Sequence, residues 1–229
     1  MRRIKWLMAM LTLLLALPIS AQEKDWEPTG VWPFINKHFR TAKVYAGVFH
    51  QTETEVPCNI HVGNHTLWYS QNDTLMEAIK GTVTRIQFPN GDIYIPVGSE
   101  QMFGRIVRQD VIDGSVARVI HVRVVNQKEL DQKYLDHINK TQNALQGMTL
   151  SHLADTEAGV IMEQQPLPMN NLYYFQVRGE IFPATPKNIL SHINPQRKQE
   201  YRNFTRSAEI ISSNESSMLK VWQEFFLKR

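Results

Sequence analysis

Short runs of alternating apolar and polar residues fill the chain from about residue 43 to residue 125, and they predict consecutive β-strands. The runs are rich in Val, Ile, Tyr and Phe, which suit a pleated, partly buried surface. Turn-forming residues separate them, and we expect a two-residue hairpin turn at Asn90-Gly91, because both residue types tolerate positive φ. The predicted strands are 43–49, 56–62, 66–70, 75–79, 82–88, 92–97, 101–108 and 115–125.

The spacing of apolar residues then changes from two to three and four, which predicts an amphipathic helix over about 127–145. Residues 147–171 show no sustained period and are expected to form a loop, whereas 172–177 are expected to form one last strand that closes or edges the sheet. Turns at this frequency favour an antiparallel meander, rolled sheet or partial barrel, because parallel strands need longer crossovers.

Residues 183–229 carry helix start signals. Thr185-Pro186 and Asn194-Pro195 each place a capping residue before a proline, and Asn214 can cap a third segment. The predicted fold is therefore α+β, with a β-rich domain over 22–182 and C-terminal helices packed on it. The last helix presents an apolar stripe that we expect to dock on the sheet, made of Met218, Val221, Trp222, Phe225 and Phe226.

The first 21 residues have the layout of a signal peptide. Arg2, Arg3 and Lys5 precede an apolar run over 6–17, which is too short for a membrane-spanning helix, and small residues then lead to Ala21. We expect cleavage after Ala21 and export to the periplasm or the extracellular space. The alternative is an uncleaved membrane anchor, whereas the mature chain has no further apolar run of spanning length.

Charge excludes a nucleic-acid partner. The chain has 25 Lys and Arg against 22 Asp and Glu, and removing the three cationic leader residues leaves 22 against 22. A mature chain of zero net charge has no bulk electrostatic attraction for a polyanion. The basic residues between 197 and 206 are therefore interpreted as the solvated face of a helix whose core face holds Tyr201 and Phe204.

Cys58 is the single cysteine, so no intrachain disulfide can form. Alternation places Cys58, Ile60 and Val62 on one strand face and Asn59 and His61 on the other. We expect Cys58 to be a small core residue, because free cysteine is among the most buried residue types. An intermolecular disulfide is the alternative.

Neither a catalytic motif nor a cofactor motif is present. The chain lacks a Gly-x-Ser-x-Gly elbow and a glycine-rich phosphate loop, so no catalytic, metal-binding or cofactor-binding residue is assigned and no cofactor is expected. His61 and His65 flank Gly63-Asn64, which indicates a hairpin tip, and we expect them to be solvated turn residues rather than zinc ligands. His121 is expected to be an ordinary strand histidine and His137 an exposed helix residue.

Candidate ligand-binding residues are Trp68, His61 and His65. Trp68 lies with Trp32, Phe34 and Tyr69 in an aromatic group that either forms a recognition surface or is buried as core. The leading hypothesis is a non-catalytic exported module that binds an envelope protein, a peptide or a glycan through a sheet edge, a loop or an aromatic surface.

Two other functions stay open. An envelope hydrolase would assemble its site only in the fold, and a purely structural envelope subunit would expose a large apolar patch. The hydrolase predicts a concave pocket in which two or three side chains come within hydrogen-bond reach, drawn from His61, His65, His121, His152, Asp155 and Glu157.

The layout of the mature chain resembles uncharacterised exported bacterial protein families. The resemblance is carried by Trp32-Pro33-Phe34 ahead of a β-meander and by 183–190 leading to an apolar final helix. It implies an exported location and this architecture. Those families have no assigned activity, so no functional residue is transferred from them.

Overall fold

A computed structural model describes residues 34–47, 52–110, 114–122, 132, 136, 148–149 and 169–227. Ten strands form one open antiparallel sheet in the order β10-β9-β8-β7-β6-β5-β1-β2-β3-β4, which confirms the predicted α+β class with an antiparallel meander and C-terminal helices. The strands are β1 Arg40–Ala46, β2 Thr52–Ile60, β3 Leu67–Gln71, β4 Thr74–Glu77, β5 Val83–Gln87, β6 Ile93–Val97, β7 Met102–Asp110, β8 Gly114–Val122, β9 Met169–Val177 and β10 Glu180–Pro183.

Several predictions fall on residues outside this description: the leader 1–21, nearly all of the helix 127–145, and the loop 147–171 apart from 148, 149 and 169–171. Within 127–145 only Gln132 and Asp136 are described. Both are helical, and the Gln132 amide donates a 3.1 Å hydrogen bond to Asp136. None of the helices among the described residues is long and apolar enough to cross a membrane.

Three of the four C-terminal helical segments begin at the predicted caps, whereas the helix that begins at Lys198 follows a 3₁₀ turn without a side-chain cap. They are α1 Pro186–His192, a 3₁₀ turn Pro195–Arg197, α2 Lys198–Ser207 and α3 Glu215–Trp222, which continues as a π-helical turn Gln223–Leu227. The side chains of Thr185, Asn194 and Asn214 each accept a hydrogen bond from a first-turn backbone N–H.

Turn chemistry differs from the prediction at the β5–β6 hairpin. The hairpin forms, but Gly91 N donates to Phe88 O, and Asn90 keeps a negative φ whereas Gly91 has a φ of 91°. The loop therefore has three residues, Pro89, Asn90 and Gly91. The proline explains the difference, because its fixed φ suits the first central position of an ordinary type I turn.

Two-residue turns with positive φ at both positions occur elsewhere. Asn72 and Asp73 join β3 to β4, and Arg178 and Gly179 join β9 to β10. The expectation that 172–177 holds the last strand is therefore wrong, because β10 follows it and forms the sheet edge. With four residues, β10 is too short to show an alternating pattern.

The C-terminal helices cover one face of β8, β9 and β10. Val116 and Phe175 are register partners on β8 and β9, so their side chains share a face, and both are fully buried against the helices. Val221 and Trp222 of α3 are buried in the same cluster. The predicted docking of the apolar stripe is confirmed.

A second core lies on β1, β2, β3, β5 and β6. Cys58 is fully buried in it as a free thiol, and burial raises its pKa to about 12, so the predicted core role is confirmed. Because the thiol is fully buried, it is not accessible for a disulfide with another chain. The buried members of this core are Ala42, Val44, Cys58, Ile60, Leu67, Val83, Ile86, Phe88 and Tyr94.

Candidate functional site

All three predicted ligand-binding residues lie in the interior. The exposed fractions of His61, His65 and Trp68 are 0%, 5% and 4%. The expectation that the two histidines are solvated is therefore wrong, although both flank the predicted turn. A ligand could reach these three side chains only if the covering segments moved, and their assignment as binding residues stays a prediction.

The segment after Phe34 buries the second face of β2. Asn59 accepts a hydrogen bond from Asn36 N at 3.1 Å and donates to Asn36 O at 2.9 Å and His38 O at 3.3 Å. Phe34 meets the His61 ring edge-on and forms an isolated bridge with that residue. Asn59 and His61 thus lie on the strand face that the alternation predicts. The segment after Phe34 covers this face, so both faces of the strand are buried.

The ring of His61 supports the β2–β3 turn. Its Nδ1 accepts hydrogen bonds from Gly63 N at 3.1 Å and Asn64 N at 3.3 Å, so Nδ1 carries a lone pair rather than a proton. This nitrogen is already used by the backbone. The role of His61 in the described fold is therefore to stabilise the turn, which holds His65 in a left-handed conformation with a φ of 57°.

The turn brings His65 against His121 at the end of β8. His65 Nε2 and His121 Nδ1 are 3.3 Å apart and form a hydrogen bond. Burial, the His121 ring and the charge of Lys80 lower the pKa of His65 to about 3. Burial also lowers the pKa of His121, against the opposing effect of Glu100. Both rings are therefore neutral near pH 7.

Within the described residues the histidine pair lines no cavity large enough for a substrate and belongs to no group of metal ligands. Two residues of the hydrolase set come within hydrogen-bond reach, as that hypothesis requires, but the cavity beside His65 has a volume of about 10 Å³, room for one water molecule. In an N–H···N hydrogen bond neither nitrogen offers a lone pair to a metal. Among the described residues no group of three His, Cys, Asp or Glu could hold an ion, whereas His137, His152, Asp155 and Glu157 lie outside them.

A larger concave surface lies where the C-terminal helices meet the β9–β10 hairpin. This groove has a volume of about 920 Å³. Buried Trp222 and Phe225 contribute to it from the last helix, and Leu227 extends the apolar lining as a partly exposed residue. The polar part of the lining is mainly charged and comprises Arg178, Glu180, His192, Asn194, Arg197 and Glu224.

His192 forms one wall of the groove as the last residue of α1. Its ring stacks on Phe182 with centroids 3.7 Å apart, and its nitrogens lie 2.7 Å from Asn188 O and 3.0 Å from Glu180 Oε1. Burial lowers its pKa, but the bonds to Asn188 and Glu180 outweigh burial and raise the pKa above its ordinary value of 6.5. A helix C-terminus also favours a cation.

Ser191, His192 and Glu180 together have the residue types of a hydrolase triad. Ser191 Oγ lies 3.0 Å from His192 Nδ1, and Glu180 lies on the opposite ring nitrogen. However, Nδ1 donates to Asn188 O, because a carbonyl oxygen can only accept, and so Nδ1 cannot take a proton from Ser191. The surrounding helix terminus presents carbonyl oxygens, which would repel an oxyanion. The arrangement fixes the groove wall rather than activating a nucleophile.

A second hollow of about 810 Å³ lies on the other side of the β9–β10 turn. Its lining is mainly polar and includes Gln109, Gln176 and Ser115. Arg178 and Gly114 line both this hollow and the groove, so the Arg178 turn forms the boundary between them.

Comparison with family models, with curated protein sequences and with solved structures found no match to this chain. The site is therefore defined by its geometry alone. Sequence reasoning missed the groove, because its lining comes from four separate parts of the chain that are brought together only by folding. The signal that could have found it is Arg178-Gly179 between two short apolar runs, which is typical of a hairpin turn.

Proposed function

We propose that the protein is an exported, non-catalytic binding module of the cell envelope, and that it binds a peptide segment of a partner protein in the groove. The observation that carries this proposal is the groove itself, about 920 Å³ in volume and lined by apolar side chains beside fixed charges. Ligand sites are typically concave, mostly apolar and supplied with a few oriented polar groups.

Both edges of the sheet are poor sites for adding a strand. At the β10 edge, Pro183 has no N–H, and its carbonyl oxygen accepts hydrogen bonds from Thr185 N and Asn188 Nδ2. At the β4 edge, Leu75 N already donates to Met148 O. These contacts favour the groove over the sheet-edge mode of binding.

A peptide suits the groove better than a glycan does. Sugars stack on the exposed faces of aromatic rings, but of the rings that line the groove Trp222 and Phe225 are 1% and 7% exposed, and the half-buried Phe226 already stacks on Trp222. Phe34 and Trp68 are buried as well. The accessible parts of the groove are apolar, from Leu227 and part of Phe226, and charged. An extended peptide can use both through its alternating side chains.

Export is supported by the leader sequence, with its cationic start, short apolar run and small residues before the expected cleavage site. Mass spectrometry of the protein from its own host provides the test, and we expect the mature chain to begin at Gln22. Recovery of chains that begin at Met1 would contradict cleavage after Ala21 and favour the uncleaved anchor.

Selection from a random peptide display library tests binding in the groove. Leu227→Asp places a charge in the apolar lining, and Ile79→Asp makes the same change at an exposed residue of the β4–β5 loop. We expect peptides selected on the full mature chain to lose binding to Leu227→Asp and to keep binding to Ile79→Asp. Failure to select any peptide, or equal binding to both variants, would overturn the proposal.

The second candidate function is an envelope hydrolase. Ser191, His192 and Glu180 supply the residue types of its triad, although His192 Nδ1 donates to Asn188 O in the described geometry and so does not accept the Ser191 proton. A fluorophosphonate probe that labels activated serines distinguishes the two functions. The binding module predicts no labelling of Ser191, whereas labelling that Ser191→Ala abolishes would establish the hydrolase.

A further inference from the structure

Arg178 is a cation of the groove that no described carboxylate neutralises. Arg197 forms a two-pronged pair with Glu200 at 2.8 Å and lies 3.6 Å from Glu224, and His192 pairs with Glu180 at 3.0 Å. Within the described part of the chain, by contrast, Arg178 has no carboxylate oxygen within 4.0 Å. Its charge is therefore available to a bound molecule.

The turn places the exposed Arg178 on the boundary between the groove and the polar hollow. Its φ of 52° is a left-handed conformation, and such turns usually have Asn, Asp or Gly at that position. An arginine in this conformation costs conformational energy, and its side chain forms no hydrogen bond within the turn that would offset that cost. Backbone strain of this kind is typical of functional sites.

We infer that the groove binds an acidic peptide, with a carboxylate of the peptide paired to Arg178. This inference rests on the function proposed above and names the class of its ligand. A guanidinium binds a carboxylate through two parallel hydrogen bonds, which gives direction as well as charge. Leu227 then contacts an apolar residue of the peptide, and the amides of Gln109 and Gln176 in the adjoining hollow bind its backbone.

Fluorescence anisotropy with labelled hexaglutamate and hexaglutamine tests the charge requirement on the full mature chain. We expect hexaglutamate to bind about tenfold more tightly than hexaglutamine at low salt, which is the effect of one charge-assisted pair. Arg178→Ala should remove this difference, and Arg178→Lys should keep only part of it, because an ammonium group lacks the two-pronged geometry.

The matched control is Arg206→Ala, which removes the same charge from an exposed position on α2. It should leave hexaglutamate binding unchanged. Equal affinity for the two peptides, or equal losses in Arg178→Ala and Arg206→Ala, would overturn the inference.

The display selection separates failure of this inference from failure of the proposed function. Peptides that need Leu227 but lack acidic residues would leave the groove as a binding site and contradict the role of Arg178. If no selected peptide depends on Leu227, the proposed function itself fails.

Discussion

The indole N–H of Trp222 donates a 2.8 Å hydrogen bond to a carboxylate oxygen of Asp110, which lies at the end of β7 and 112 residues earlier in the chain. Trp222 is 1% exposed, so its N–H has no access to solvent and needs this acceptor. The bond fixes the last helix on the sheet. Because Trp222 also lines the groove, the same bond shapes part of the proposed binding surface.

Removing the acceptor should destabilise the fold. Asp110→Ala leaves a buried indole N–H unsatisfied, and we expect the free energy of unfolding to fall by about 2 kcal/mol in urea denaturation. Asp110→Asn is the matched control, because its amide oxygen can still accept, and it should lose less than half as much. An Asp110→Ala variant as stable as the wild type would show that the bond does not anchor the helix.

The Trp222 ring packs directly against Gly114. A Cβ atom at position 114 would lie 2.6 Å from Cζ2 of the indole, closer than any tolerated contact. We expect Gly114→Ala to cost about 2 kcal/mol of stability, because a well-packed contact must shift. In a double-mutant cycle with Trp222→Leu, the Gly114→Ala penalty should shrink, whereas additive effects would contradict this contact.

The buried histidine pair predicts loss of stability in acid. The pKa of His65 is about 3 in the folded chain and near 6.5 in the unfolded chain, so between these values the unfolded state binds the extra proton. His65 therefore makes stability fall as the pH decreases below 6.5, by at most about 1.4 kcal/mol for each pH unit. The pKa of His121 is also lowered in the folded chain, so its protonation likewise makes stability fall as the pH decreases.

His65→Asn removes this titration and still tolerates the left-handed backbone. Chemical denaturation at several pH values should give a shallower decline between pH 6.5 and pH 4 for His65→Asn than for the wild type. Parallel declines for the two proteins would exclude His65 as the source.

His192 should behave in the opposite way. Its folded-state pKa lies above 6.5, so the stability that its pairs contribute is complete below pH 6.5 and is lost as the pH rises through the folded-state pKa. The expected contribution is only a few tenths of a kcal/mol, because Glu180 is largely exposed. The pKa itself is the better observable.

An NMR titration of the His192 ring measures that pKa directly. Glu180→Gln should lower it, because the variant loses the carboxylate that accepts from Nε2. Glu209→Gln removes an exposed charge elsewhere and should leave the value unchanged. An unchanged pKa in Glu180→Gln would show that the pair is absent in solution.

Local patterns were sufficient to predict the sheet and the helix starts. Strands such as Ile93–Val97 are short runs rich in Ile, Val and Tyr between turn residues, and Thr185, Asn194 and Asn214 act as caps through contacts within a few residues. Such signals depend on neighbours in sequence. They do not depend on what packs against the element.

Burial on both faces of a strand could not be read from alternation. His61 and His65 lie beside turn residues and look solvated, but the segment 34–39 and the end of β8 cover them in the fold. The groove was unpredictable for the same reason, because Arg178, His192 and Leu227 converge only through tertiary packing. Sequence spacing contains no information on that convergence.

Site-specific photo-crosslinking in the native host tests the binding groove most directly. A photoreactive phenylalanine analogue at position 227 lies in the groove, and the same analogue at position 79 lies on an exposed loop outside it. We predict a discrete adduct with an envelope protein from position 227 that Arg178→Glu weakens, and no such adduct from position 79. Absence of an adduct at position 227, or the same adduct from both positions, would contradict the groove as the binding site.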